Sequence, residues 1–189
     1  MGKKQINRCT WPGEDEKMIA YHDLEWGVPV HDDQKHFEFL VLDAFQAGLS
    51  WKTILHRREG FRKAFANFDV TKVAKFTEKH VEKLMQDEKI IRNKLKISGT
   101  IKNAKAFIAL QKEFGSFDKY IWQFTGNKTV QGKRIKSGDI PATSPESDAM
   151  SKDLKKRGFT FVGSTICYAY MQAAGMVNDH LKSCFRHKS

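Results

Sequence analysis

The chain has 189 residues, 40% hydrophobic and 12% aromatic, enough for one domain with a substantial core, and no apolar run approaches membrane-spanning length. Its 33 Lys and Arg against 22 Asp and Glu leave a formal charge of +11, which favours a polyanionic partner, nucleic acid first, with a solubilising surface as the plain alternative. Three cysteines, Cys9, Cys167 and Cys184, are too few and odd in number for a disulfide framework and fit a reducing compartment.

At the N-terminus, MGKKQINRCTW is basic with no hydrophobic segment behind it, so a secretory signal is not expected and a soluble intracellular protein is. Phe37, Leu40, Val41, Ala44 and Phe45 then follow the stripe of a half-buried helix, capped by Asp32 or Asp33 and ended by Gly48. Asp43 lies beside that stripe, where a carboxylate needs a reason. Thr77 opens a short helix carrying Val81, Leu84 and Met85. Ile97, Ile101, Ala104 and Ile108 mark another helix, and Phe117, Tyr120, Ile121 and Phe124 one more.

Residues 127–143 read as a basic loop, in which TVQGKRI is the one stretch able to pair as a small hairpin. Ser144 before Pro145 is a cap with proline at the first helical position, and that helix stops at Gly158. GFTFVG follows, and a second helix opens at Ser164 and ends near Gly175. Cys167, in the apolar STICYAYM, is expected in the core. Helix, glycine-bounded turn, helix is the layout of a helix-hairpin-helix element, which offers backbone N–H groups to DNA phosphate, here with Lys155, Lys156 and Arg157 leading in. It is equally the layout of an ordinary αα-hairpin. The spacing as a whole predicts an all-α fold.

The segment VNDHLKSC places His180 and Cys184 four apart. Cys9 and His22, near the other end, would complete a two-Cys, two-His set of the kind that holds structural zinc. Five further histidines (His31, His36, His56, His80 and His187) and the lack of a compact finger spacing leave that set open on the residues alone.

Taken together, RCTW, YHDLEWGVPV, QAGLSW, IIRNKLKI, SDAMSKDLKKRGFTFVGSTICYAYMQAAGMVNDH and the final cysteine are long, ordered and unusual. They run nearly the whole length, and on them the chain resembles the 3-methyladenine DNA glycosylase I family, constitutive bacterial enzymes of the helix-hairpin-helix glycosylase superfamily. The resemblance implies a single unit over residues 1–189, with the helix-hairpin-helix at about 145–175 and a clasp joining 9–22 to 180–184. One structural Zn2+ is implied on Cys9, His22, His180 and Cys184. Tyr21, Asp43 and Trp51 are implied as the base pocket, with Asp43 the catalytic carboxylate and Gln46 lining the pocket or bracing its loop. Gly48 would turn the loop that carries Leu49 into the gap left by the extracted base. Gly48, Leu49, Lys155, Lys156, Arg157, Gly158 and Gly163 are implied as DNA contacts.

The implied activity is hydrolysis of the N-glycosidic bond of N3-methyladenine in double-stranded DNA, by a monomer with no membrane partner, in the bacterial cytoplasm. Free 3-methyladenine is the product and base excision repair the consequence. No lysine sits in GFTFVG to attack the sugar, so a monofunctional enzyme is expected. Asp179 is assigned no catalytic role. One position departs from the family, which usually has glutamate where this chain has Asp43. The carboxylate loses about 1.5 Å of reach, and Phe45, two residues on, can also alter the pocket wall. A non-catalytic or altered-specificity binder of alkylated DNA is the alternative reading.

Overall fold

The computed structural model describes residues 6–187. Among them ten α-helices follow in order: α1 (Glu16–Leu24), α2 (Asp33–Gln46), α3 (Trp51–His56), α4 (Arg58–Ala64), α5 (Val70–Val73), α6 (Glu78–Leu84), α7 (Lys94–Phe114), α8 (Phe117–Ile121), α9 (Pro145–Lys156) and α10 (Ser164–Ala173). Two two-residue strands, β1 (Val130–Gln131) and β2 (Val177–Asn178), are the extended pairing among the described residues. No helix there is long and apolar enough to cross a membrane.

α2 is the centre of the packing. Asp32 caps it, accepting a hydrogen bond from the Lys35 amide at 2.8 Å, and Gly48 follows its end at φ +81°. α3, α7, α8 and α10 all pack against it, so every residue from His36 to Phe45 is buried. The helix is therefore not the half-buried one that its stripe suggested. Neighbours on several sides enclose its polar flank, and Glu38 and Asp43 go inside with it.

α7 shows a smaller difference. Ile97, Ile101 and Ala104 are buried as expected, but Phe107 and Leu110 complete the inner face and Ile108 is only partly covered. In the expected hairpin stretch, Val130 instead pairs in parallel with Val177, and Gln131 with Asn178. The amides of Val130 and Gly132 donate to the carbonyls of Met176 and Asn178 at 2.9 and 2.8 Å. A Cβ on Gly132 would lie 2.1 Å from the Asp179 carboxylate, so glycine lets the strands meet.

Ser144 caps α9 with Pro145 in its first turn, and Gly158 leaves it at φ +89°. The turn to α10 is held from several sides. Ser151 donates to the Val162 carbonyl at 2.6 Å, and Asn103 of α7 both donates to and accepts from the Thr160 backbone, at 2.9 and 2.8 Å. Phe159, Val162 and Cys167 are buried beneath it.

Candidate functional site

α1 ends in YHDL and places Tyr21 and His22, both buried, toward different neighbours. Tyr21 lines a cavity of about 420 Å³ together with Asp43 and Gln46 of α2 and Trp51, the first residue of α3. Trp51 starts α3 because Ser50 caps it, accepting from the Thr53 amide at 3.1 Å. The three residues expected to share a pocket therefore do share one. Trp11 and Trp26 add two more aromatic walls. The ring centroids of Tyr21 and Trp51 are 4.9 Å apart, and those of Trp11 and Trp26 5.1 Å apart. The remaining lining comes from Ser137 and Ile140 of the basic loop and from Ala169 and Gln172 of α10.

Asp43 is 1% exposed, and its Oδ2 has no hydrogen-bond partner. Burial drives its carboxyl well above the usual carboxylate range. The indole N–H groups of Trp11 and Trp51 are likewise buried and unpartnered. An unmet buried polar group costs about 1–3 kcal/mol, and three of the residues that line the cavity carry one. Burial, and then the negative charge of Asp43, push the Tyr21 phenol well above its ordinary value. Glu38 is no substitute for Asp43. It accepts from Arg58 at 2.7 Å and Arg62 at 3.0 Å, and although burial raises its pKa, the Arg58 guanidinium leaves it below the usual value. Phe45 does not shape the cavity wall. Its ring packs on Phe61 and Phe65 at 4.7 and 6.0 Å.

Beside the cavity lies the second cluster. Cys9, His22, His180 and Cys184 are all buried, with their ligand atoms within 4.8 Å of one another. Cys184 Sγ is 3.5 Å from His22 Nε2 and 3.5 Å from His180 Nδ1, and Cys9 Sγ is 3.7 Å from His180 Nδ1. Tetrahedral ligation at about 2.3 Å from sulfur and about 2.0 Å from nitrogen sets S and N about 3.5 Å apart. The outer nitrogens are also anchored: His22 Nδ1 meets Asp23 Oδ1 at 2.7 Å and His180 Nε2 meets the Trp26 carbonyl at 2.9 Å. Amides of Leu181 and Arg186 donate to the two sulfurs at 3.4 and 3.5 Å. Burial pushes the Cys9 thiol up to about 12 and His180 down to about 4. A cation at the centre is what would favour thiolate there, and the cluster could hold a metal ion. Trp26 belongs to both sites, so the cluster braces a cavity wall.

Of the expected DNA contacts, Gly48 and Leu49 sit at an exposed turn, Leu49 with 41% of its surface open. Lys155 and Lys156 are exposed at the end of α9. Gly163 is the N-cap of α10 and offers no side-chain acceptor, leaving first-turn amides for another acceptor. Arg157 pairs with Asp153 and Glu113, both at 2.7 Å, and lies over Phe114 and Tyr120, so its guanidinium is engaged within the protein. Asp179 accepts from Arg134, Tyr168 and Gln172 and is fully buried. Reading residues in order missed Trp11, Trp26 and the loop and α10 walls. The two tryptophans do flank Cys9 and His22 in the sequence, while Ser137, Ile140, Ala169 and Gln172 carry no local signal.

The methyladenine glycosylase family model matches residues 11–187. The chain is similar to DNA-3-methyladenine glycosylase 1 of Escherichia coli (strain K12), 46% identical over 179 residues, which are 95% of this chain and 96% of that one. A crystal structure of 3-methyladenine DNA glycosylase I matches with a TM-score of 0.94 at 46% identity, covering 96% of this chain and 100% of the other. A structure addressing 3-methyladenine recognition by the Staphylococcus aureus glycosylase I matches with a TM-score of 0.93 at 31% identity, covering 97% and 98%.

Proposed function

This chain belongs to the methyladenine glycosylase family, and we propose that it excises N3-methyladenine from duplex DNA by hydrolysing the N-glycosidic bond, initiating base excision repair. The observation that carries the reading is the buried, unpartnered Asp43 carboxyl in a cavity walled by Trp11, Tyr21, Trp26 and Trp51.

A base alkylated at N3 is cationic while attached to deoxyribose and departs neutral, so it needs no proton to leave. The difficult steps are finding it, everting it and rejecting ordinary adenine. Aromatic faces attract the electron-poor ring. In the empty cavity, burial favours the neutral carboxyl of Asp43. A cationic ring entering beside it favours the ionised form, so capture of the base releases the Asp43 proton. Ordinary adenine brings no charge and leaves the burial penalty of the carboxylate unanswered. As the bond breaks, the positive charge passes to the sugar carbon. Water adds there and loses a proton, leaving an abasic site without strand cleavage. Asp43 in its ionised state holds the cation through this step.

Gln46 lines the cavity below the Gly48 turn, and Leu49 enters the space vacated by the base. Gly158 and Gly163 bound a helix-hairpin-helix turn whose free amides, with Lys155 and Lys156, hold phosphate. Arg157 serves as a brace for α9. Zn2+ on Cys9, His22, His180 and Cys184 fits the donor set and its spacing. It would tie the two ends of the chain together, and four protein ligands leave no position for a reacting water. Release of 3-methyladenine from methylated duplex DNA, compared between the native protein and Asp43→Asn, tests the reading. No release by the native protein would overturn it, and equal release by both would take Asp43 out of the reaction.

A further inference from the structure

The basic loop does more than wall the cavity. Ile135 stands 71% exposed in it, between exposed Lys133 and Lys136. A single exposed apolar residue is ordinary on a mobile surface, but this one is mounted on a well-braced turn. The Asp139 carboxylate accepts from the amides of both Ile135 and Lys136 at 3.0 Å, which holds it below the usual range. Arg134 donates to buried Asp179 at 2.8 Å, and its carbonyl accepts from the Lys182 amide at 2.8 Å. Ser137 reaches Thr10, next to the metal-ligand candidate Cys9, at 3.3 Å. The same turn supplies Ser137 and Ile140 to the cavity, while the turn carrying Leu49 sits between two other wall residues, Gln46 and Trp51.

The geometry points to Ile135 as a second apolar wedge, entering the stacked duplex beside the everted base while Leu49 fills the vacated position. The inference rests on the glycosylase reading above. The flanking lysines favour phosphate on both sides of the tip, and an apolar side chain pressed between base steps stabilises the kinked, unstacked duplex. On this view Asp179 is a positioning residue. Through Arg134 it fixes the turn that presents Ile135.

The test compares the native protein with Ile135→Ala and Ile135→Leu on methylated DNA in duplex and single-stranded form. Binding of free 3-methyladenine is followed in parallel by tryptophan fluorescence. Ile135→Ala should lose about tenfold or more of its duplex excision rate, while its single-strand rate and free-base affinity stay within about twofold. Ile135→Leu should restore the duplex rate. A duplex rate for Ile135→Ala within about threefold of native overturns the inference, and so do equal losses on both DNA forms, which mark a disturbed cavity. A native protein that releases no base from either DNA removes the glycosylase reading itself, a result distinct from both.

Discussion

Replacing Asp43 with asparagine should separate what this residue does for the reaction from what it does to the fold. Asparagine keeps the size of the side chain and removes the charge. A carboxylate and a cationic ring about 4 Å apart at an effective dielectric of about 20 attract by about 4 kcal/mol, and ionising the buried carboxyl offsets part of this, so kcat/KM for excision should fall by between about tenfold and about a thousandfold. Stability should move the other way. The carboxyl is 1% exposed, its Oδ2 is unpartnered, and its pKa in the folded chain lies well above the ordinary 3.8. The folded state therefore binds this proton more tightly than the unfolded chain does. The native protein loses stability as pH rises above the unfolded value of 3.8, and below that value both states are protonated and nothing is lost. Asparagine abolishes that loss, so the variant should melt higher at neutral pH, by about 2–4 °C for each kcal/mol recovered. The gap should close toward pH 4. Base release from methylated DNA and thermal melts at several pH values measure both effects. A melting point that falls at neutral pH, or activity that drops less than about tenfold, would refute the reasoning.

Asp43→Glu should keep excision within about tenfold of native, because the charge stays and a cavity of about 420 Å³ can take one more methylene; a loss as large as that of Asp43→Asn would show that reach, not charge, decides. Cys184→Ser should lower both the melting temperature and the zinc content while the folded fraction keeps most of its chemistry, and an unchanged melting temperature with full zinc would defeat the clasp. Replacing Lys155 and Lys156 together by glutamine should weaken DNA binding and reduce the log–log salt slope by about 1.8, whereas an unaltered slope would place the phosphates elsewhere.

The local sequence was enough wherever apolar spacing, a capping side chain and a stop residue coincide. Asp32 and Gly48 bracket α2, and Ser144–Pro145 and Gly158 bracket α9, because those signals act within a turn or two of the backbone they control. Cys9, His22, His180 and Cys184 were one candidate ligand set among several on residue type alone, and the resemblance to a known family selected that set and joined Tyr21, Asp43 and Trp51. Only the tertiary structure decided the rest. It surrounded α2 and so made Asp43 a buried, unpartnered acid, and it paired 130–131 with 177–178 instead of folding the loop on itself. It committed Arg157 to Asp153 and Glu113, and it closed the cavity with Ser137, Ile140, Ala169 and Gln172. Each of these depends on contacts between residues distant in the chain, whose partners leave no periodic trace around either one. Burial and charge satisfaction are properties of the assembled neighbourhood, so they come into being only when the helices meet.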